Sequence, residues 1–336
     1  MRILTNARVE ELCCDKNGKI SGLEYSDLKK AGVRQQLNSE HVILAFGHSA
    51  SDFYQHLKNL QVPMEAKDFA VGVRMEHPRR FIDQAQFGNF CLSPLSAPLS
   101  APLLGSARYR LSFHSKKSNR GTYSFCMCPG GHVLSSGTEV GGLVTNGMSN
   151  MARCAPWSNS ALVVGVRASV DFVSFASKDV LEGLNFQRKI EAQAFQYSKK
   201  FATGREMPAQ KIEDFMRGRK SAALPKTSCP SGIVSASLDE LLPPFVSQHL
   251  REALTHFEHQ IPGLLGPHGL LLAPETRTSS PVRILRNEDT LVSPGWSGLY
   301  PCGEGAGYAG GITSAAVDGV KVALALLRST HGYAAN

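Results

Sequence analysis

Apolar and polar positions along the chain change period several times. Residues 2–14 form a strand-like run, Asn17-Gly18 is a two-residue turn, and 19–25 can return antiparallel, with 34–37 as a third short strand. The run HVILAF at 41–46 is apolar without interruption, the pattern of a buried strand. Beyond Gly47-His48-Ser49, the spacing of Asp52, Phe53, Leu57 and Leu60 predicts a helix, with Ser49 or Ser51 as its N-cap. Residues 69–76 alternate as a strand and 78–87 suit a short helix. Four short strands are expected at 109–114, 122–128, 132–136 and 143–146, and another at 161–170. Helical periodicity covers 184–201 and 238–261, the latter with Pro243-Pro244 near its start. Short strands at 282–285 and 298–302 lead into a glycine loop and a helix from about 311 to 327. The tandem SPLSAPLSAPL at 93–103 reads as a low-complexity surface insertion. With β-rich and α/β segments at both ends and a mixed block between, the order predicts a split α/β domain carrying an inserted α+β domain.

Composition narrows the class. A chain of 336 residues, 42% hydrophobic and 19% charged, can bury a core, which excludes collagen, wholesale disorder and a disulfide miniprotein. The longest apolar stretch, 312–327, is broken by Asp318 and Lys321, so no membrane partner is expected. Residues 1–12 lack an apolar core and contain Glu10 and Glu11, which argues against a secretory signal and for a soluble protein of the cytoplasm or an organelle stroma. The net charge of +8 is dispersed; its densest point, Arg217-Gly-Arg219-Lys220, has no aromatic ladder beside it, so no nucleic-acid partner is expected. The eight cysteines contain no Cys-x-x-Cys pair and read as reduced thiols.

The densest chemistry lies at 302–312, CGEGAGYAGGI, with five glycines between 303 and 311. Gly305-x-Gly307-x-x-Gly310 formally matches a dinucleotide fingerprint, but that motif needs a second strand with a ribose-binding acid some twenty residues on, and none follows here. What remains is a loop whose backbone a ligand can approach, a helix start at Gly311, Ile312 and Thr313 that offers amides to an anion or polar ring edge, and Glu304 as acceptor for sugar-like hydroxyls. Cys126-x-Cys128 on a strand would point both thiols to one face, as a redox pair or as small buried residues; no second ligand pair supports zinc. His249, His256 and His259 have the wrong spacing for a metalloprotease helix and read as a solvated face. Ser49 sits in no nucleophile elbow. Arg74, Glu76, Arg153, Arg277 and Arg283 supply charge to the β-rich part, the arginines as candidates for an acidic substrate or for surface salt bridges, and His77 is the acid–base candidate by its ordinary pKa.

GLYPCGEG (298–305) followed by YAGGITSAAVDG (308–319) resembles the C-terminal flavin element of two-dinucleotide-binding-domain flavoproteins, most closely the uncharacterised FAD-dependent, NAD(FAD)-utilising dehydrogenases. VILAFGHSA (42–50), FAVGVRMEH (69–77), FCMCPGG (125–131) with TNGMS (145–149), and ETRTSSPVR (275–283) fit the same family in order. The resemblance implies an incomplete FAD/NAD(P)-binding Rossmann-like domain from 1–62 and 281–336, lacking the N-terminal β-α-β, with an inserted α+β domain at 63–280. It implies FAD as cofactor, NAD(P)H as a further electron donor, a small-molecule substrate, and a fragment of a flavin-dependent oxidoreductase; a non-catalytic interaction subunit without flavin is the alternative. By the same resemblance Ala45, Gly47 and His48 lie beside the pyrophosphate or adenosine. Gly303 and Glu304 match the Gly-Asp pair whose acid holds a ribitol hydroxyl, and Gly310, Gly311 and Ile312 offer amides to the flavin ring. Cys126, Cys128 and His77 are the catalytic candidates.

Overall fold

The computed structural model describes residues 2–30, 32–88, 105–137, 139–171 and 179–331, so the tandem repeat at 93–103 lies outside the described residues. The chain is mixed α/β and divides into two compact units: 1–69 with 167–184 and 279–336, and 70–166 with 185–278.

The first unit begins with β1 (Ala7–Cys14), β2 (Ile20–Asp27) and β3 (Val33–Asn38), a three-stranded antiparallel sheet in the order β1-β2-β3. The turn signal at Asn17-Gly18 is used, with Gly18 at φ +77°. The apolar run then gives β4 (Val42–Leu44), α1 (Ser51–Asn59) and β5 (Met64–Ala66). Neither serine caps α1: Ala50 is the N-cap, without a side-chain cap, and Ser51 is already the first helical residue. Tyr54 and Leu57, one turn apart, bury completely with Leu44, Val62, Val282, Ile284 and Leu299.

The second unit is built on β6 (Phe69–Pro78), α2 (Arg79–Phe87), β7 (Ser112–Ser115), β8 (Arg120–Cys128), β9 (His132–Ser135), β10 (Thr145–Met148) and β11 (Trp157–Val166). The chain passes through the short α3 (Ala168–Asp171) in the first unit and enters α4 (Glu182–Phe201). It returns with β12 (Met207–Lys211), α5 (Ile212–Met216), β13 (Ile233–Ser235), α6 (Pro244–Gln260) and β14 (Leu270–Glu275). Seven of these strands form one mixed sheet, β13-β12-β14-β6-β11-β8-β7, and β9 and β10 pair separately. Its central strands β6, β11 and β14 are buried along almost their whole length, including the polar and charged side chains of Arg74, Glu76, His77, Asn159 and Glu275.

Three readings change here. The helix expected at 238–261 is a 3-10 turn at Leu238–Glu240 followed by α6, because Pro244 suits a first helical turn and not an interior. His249 is buried, its Nδ1 2.6 Å from the Phe245 carbonyl and its Nε2 2.6 Å from Ser118 Oγ, so only His256 and His259 of that trio face solvent. The strand expected at 161–170 runs Trp157–Val166, and 168–171 is helical.

The first unit closes with β15 (Val282–Ile284), antiparallel to β5, β16 (Leu299–Pro301), parallel to β4, and α7 (Ile312–His331). Val322 and Leu326 of α7 pack on Tyr300 and Cys302, while Val317, Val320, Leu324 and Leu327 lie exposed along its other side. No described helix is long and apolar enough to cross a membrane.

Candidate functional site

The apolar strands β4 and β16 lie parallel in the register Leu299–Val42, Tyr300–Ile43 and Pro301–Leu44. Their C-terminal ends therefore open side by side, a placement that suits ligand loops in α/β sheets. The Cys302 amide donates to the Leu44 carbonyl at 3.0 Å, which carries the register into both loops. A β-carbon on Gly305 would lie 2.2 Å from the Gly47 carbonyl oxygen, so the two backbones touch and only glycine fits. Tyr54, buried on α1, donates to the Gly305 carbonyl at 2.6 Å and lies 3.0 Å from Ser280 Oγ. Burial pushes its phenol well above the usual range.

Beside this contact, His48 Nδ1 lies 3.0 Å from Glu304 Oε1, and His48 Nε2 is a buried atom without a protein partner. Ala45 is exposed at the end of β4. Lys67 and Arg283 stand within electrostatic reach of each other, and Glu304 within that of Lys67; burial first, then the Arg283 charge, lowers the Lys67 pKa, and Glu304 opposes both.

The glycines differ in what they accommodate. Gly47 and Gly303 have φ of +69° and +74°, which a side chain would strain. Gly310 has no positive φ, and no atom lies within 4 Å of the point where a β-carbon would stand; at Gly311 the nearest is Ser314 Oγ at 4.0 Å. Gly310, Gly311 and Ile312 line an open cavity of about 820 Å³ at the start of α7, together with Tyr308, Asp318 and Lys321. Ile312 is 93% exposed there.

Asp318 is the residue the sequence did not single out. It accepts two hydrogen bonds from Arg286, at 3.0 and 2.6 Å, and one from the Gly303 amide at 2.7 Å. Burial alone would raise its pKa, but Arg286 and the Gly303 amide together hold it below the usual carboxylate range. Arg286 also donates to the Pro301 carbonyl at 2.8 Å and stacks on the Tyr308 ring at 3.7 Å. Asp318 thereby ties α7, the end of β16 and the Gly303 turn into one piece. Its only trace in the sequence is a charge inside an apolar helix.

The catalytic candidates lie in the second unit. His77 is buried, its Nε2 2.8 Å from the Leu264 carbonyl, and burial pushes its pKa down to about 4, so it stays neutral at pH 7. The two thiols do not share a face as simple alternation requires: Cys126 is exposed and Cys128 buried. A bulge is the cause. Asn159 pairs with Cys128 and Ala161 with Phe125, so Cys126 and Met127 oppose Ser160 alone, and Cys126 takes φ +51°. Of the charged candidates, Arg74 pairs with Glu275 and Arg277 with Glu191, both inside the unit, and Glu76 is held by Thr227 and Ser228; only Arg283, with Glu65, forms an exposed bridge.

The family described as FAD-dependent protein, C-terminal domain-like, matches residues 68–278. This chain belongs to that family. As a member of it, the chain is linked to FAD-dependent function through a stretch that nearly coincides with the second unit. The β4 and β16 ends lie outside the matched stretch. A curated relative from Clostridium beijerinckii (strain ATCC 51743 / NCIMB 8052), named only as an uncharacterized protein, is 42% identical over 313 residues, 91% of this chain and 56% of the relative. This FAD-dependent family member thus spans little more than half the length of that relative.

Proposed function

We propose that the unit built on β4, β16 and α7 is the Rossmann-like part of an FAD site, with 70–166 and 185–278 as an inserted domain, and that the chain forms part of a flavin-dependent oxidoreductase acting on a small molecule. One observation carries this reading: Gly310 and Gly311 are glycines that neither backbone conformation nor internal packing requires, at the amide end of a long helix lining an open cavity. Their lack of side chains serves something outside the protein.

The residues present fit the cofactor. Gly47 and Gly303 let the two loops turn without side chains, and the unpartnered His48 Nε2 is free to meet a polar group. Glu304 is the acceptor for ribityl hydroxyls, with His48 fixing its orientation through Nδ1. The amides of Gly311 and Ile312 would face an electron-rich ring edge, where the helix dipole favours negative charge. Bound FAD supplies two-electron chemistry; the chain's residues bind it, orient it and bias its charge. NAD(P)H draws no support from this geometry.

The test is FAD titration of this chain by flavin fluorescence quenching. Glu304→Ala and Gly311→Val are expected to weaken binding at least about tenfold, the loss of one hydrogen bond to a charged group or of the approach to the amides. Unchanged affinity in both variants would overturn the assignment.

A further inference from the structure

We propose that Cys126 and Cys128 form a redox-active dithiol that reduces low-molecular-weight disulfides, with Cys126 as the nucleophile and Cys128 as the resolving thiol. The case starts from the bulge in β8. A non-glycine residue at φ +51° costs roughly 1–2 kcal/mol. That strain turns Cys126 outward while Cys128, two residues on, stays 6% exposed. The Cys128 thiol donates to the Cys126 carbonyl at 3.5 Å, and the two thiols stand within electrostatic reach of each other.

Behind the pair stands Arg74, fully buried. Its Nε and Nη2 donate to Glu275, each at 2.9 Å, and Thr145 donates to the same carboxylate at 2.8 Å. Nη1 points the other way. It donates to Asn159 Oδ1 at 2.9 Å and stands 3.5 Å from the Cys126 carbonyl and 4.0 Å from Cys128 Sγ. A β-carbon on Gly147 would lie 2.1 Å from Nη1, so the guanidinium is packed in place. Tyr109 closes the inner side, its hydroxyl 2.9 Å from Ser160 Oγ and its pKa pushed by burial to about 12, so it carries no charge.

The groups facing Cys126 therefore comprise one cation, one anion that partly offsets it, and a neighbouring S–H donor. The Cys128 hydrogen bond, with Arg74 in support and against burial and Glu275, brings the Cys126 thiol down to about 6. Cys128 moves up, because it holds the shared proton and is buried. At Cys13, Cys14, Cys229 and Cys302, by contrast, burial pushes the thiol up.

The reaction balances without further components. The Cys126 thiolate attacks one sulfur of R–S–S–R; the S–S bond breaks, a Cys126–S–S–R bond forms, and RS⁻ leaves and takes a proton from water. Cys126 is now neutral, so the negative charge that opposed ionisation of Cys128 is gone while Arg74 remains. Cys128 loses its proton to water and attacks Cys126 Sγ. The second RS⁻ leaves, the protein holds a Cys126–Cys128 disulfide, and two electrons have passed to the substrate.

Trypsin releases residues 121–153 as one peptide that contains only these two cysteines, and exposed Cys154 lies outside it as an internal comparator. With oxidised glutathione at pH 7, the wild-type peptide is expected to lose two hydrogens by mass spectrometry. Cys128→Ser should hold one glutathione on Cys126, and Cys126→Ser should do neither. In the wild-type protein, iodoacetamide labelling of Cys126 should rise about tenfold from pH 5 to 7 and less than about twofold from 7 to 9, whereas an ordinary thiol rises about 25-fold over the latter interval. The proposal is overturned if the peptide keeps both thiols while Cys154 reacts, if glutathione settles on Cys128, or if Cys126 labelling follows the ordinary profile.

Discussion

Replacing Asp318 by alanine tests whether the glycine loop is held by the helix behind it. The substitution removes the two bonds from Arg286 and the one from the Gly303 amide. Both side chains of the pair are less than a tenth exposed, at 9% and 8%. Breaking a buried pair from one side costs about 3–5 kcal/mol, since the orphaned charge stays behind. Arg286 keeps the Pro301 carbonyl and the Tyr308 ring, which together offset about 1 kcal/mol, so a loss of about 3 kcal/mol is expected. For a unit of roughly 150 residues this is about 6–12 °C in Tm. Asp318→Asn keeps an acceptor for the Gly303 amide and should cost about half as much. The assay is urea unfolding read from Trp296, which lies in the core of this unit, in a Trp157→Phe background. The pH dependence has a definite sign. The folded pKa of Asp318 is lowered, so its contribution is present above the unfolded value near 4 and fades as pH falls through the folded one. A loss below about 1 kcal/mol for the alanine variant, or equal losses for alanine and asparagine, would refute this account.

Three further outcomes follow from the same geometry. Gly305→Ala places a β-carbon 2.2 Å from the Gly47 carbonyl and should destabilise the unit by roughly 1–3 kcal/mol, seen as a lower urea midpoint, whereas Gly310→Ala, with open space around it, should leave that midpoint unchanged. Burial raises the pKa of Glu76 despite its bonds from Ser228 and Thr227, so its contribution is present below the unfolded value and is lost as pH rises through the folded one. Glu76→Gln should therefore flatten the fall in stability as pH rises above the unfolded value of about 4, measured by thermal melts at a series of pH values. Arg8→Ala removes a bridge to Asp52 in which both side chains are more than half exposed, at 56% and 63%, and thermal melts should change by less than about 1 kcal/mol.

What the sequence reveals of this molecule is local. HVILAF and GLYPCG announce two strands because each is an apolar run ending in glycine, but their parallel pairing depends on the whole intervening chain. Two strands of the large sheet, MPAQK and LLLAPE, escape notice because Pro208 and Pro274 break their patterns. Cys128 and Cys126 look equivalent until a bulge, invisible to a period-2 reading, separates them. Glu304 stands out because five glycines crowd the stretch from 303 to 311, a density that a local reading detects. Asp318 is not, because its meaning lies in Arg286 and Gly303, which only folding brings to it.

The bond from the Tyr54 hydroxyl to the Gly305 carbonyl spans 251 residues of chain. During synthesis β4 must wait for its partner while everything between is made, roughly 10–50 s at ordinary ribosomal rates. The large sheet, complete once β14 has emerged, can form in that interval, so the glycine-lined end of the molecule is the last part to take shape. Nascent chains arrested once β14 has cleared the ribosome, with β16 still inside it, should accordingly resist protease across 185–275 while remaining cleavable between β1 and β5.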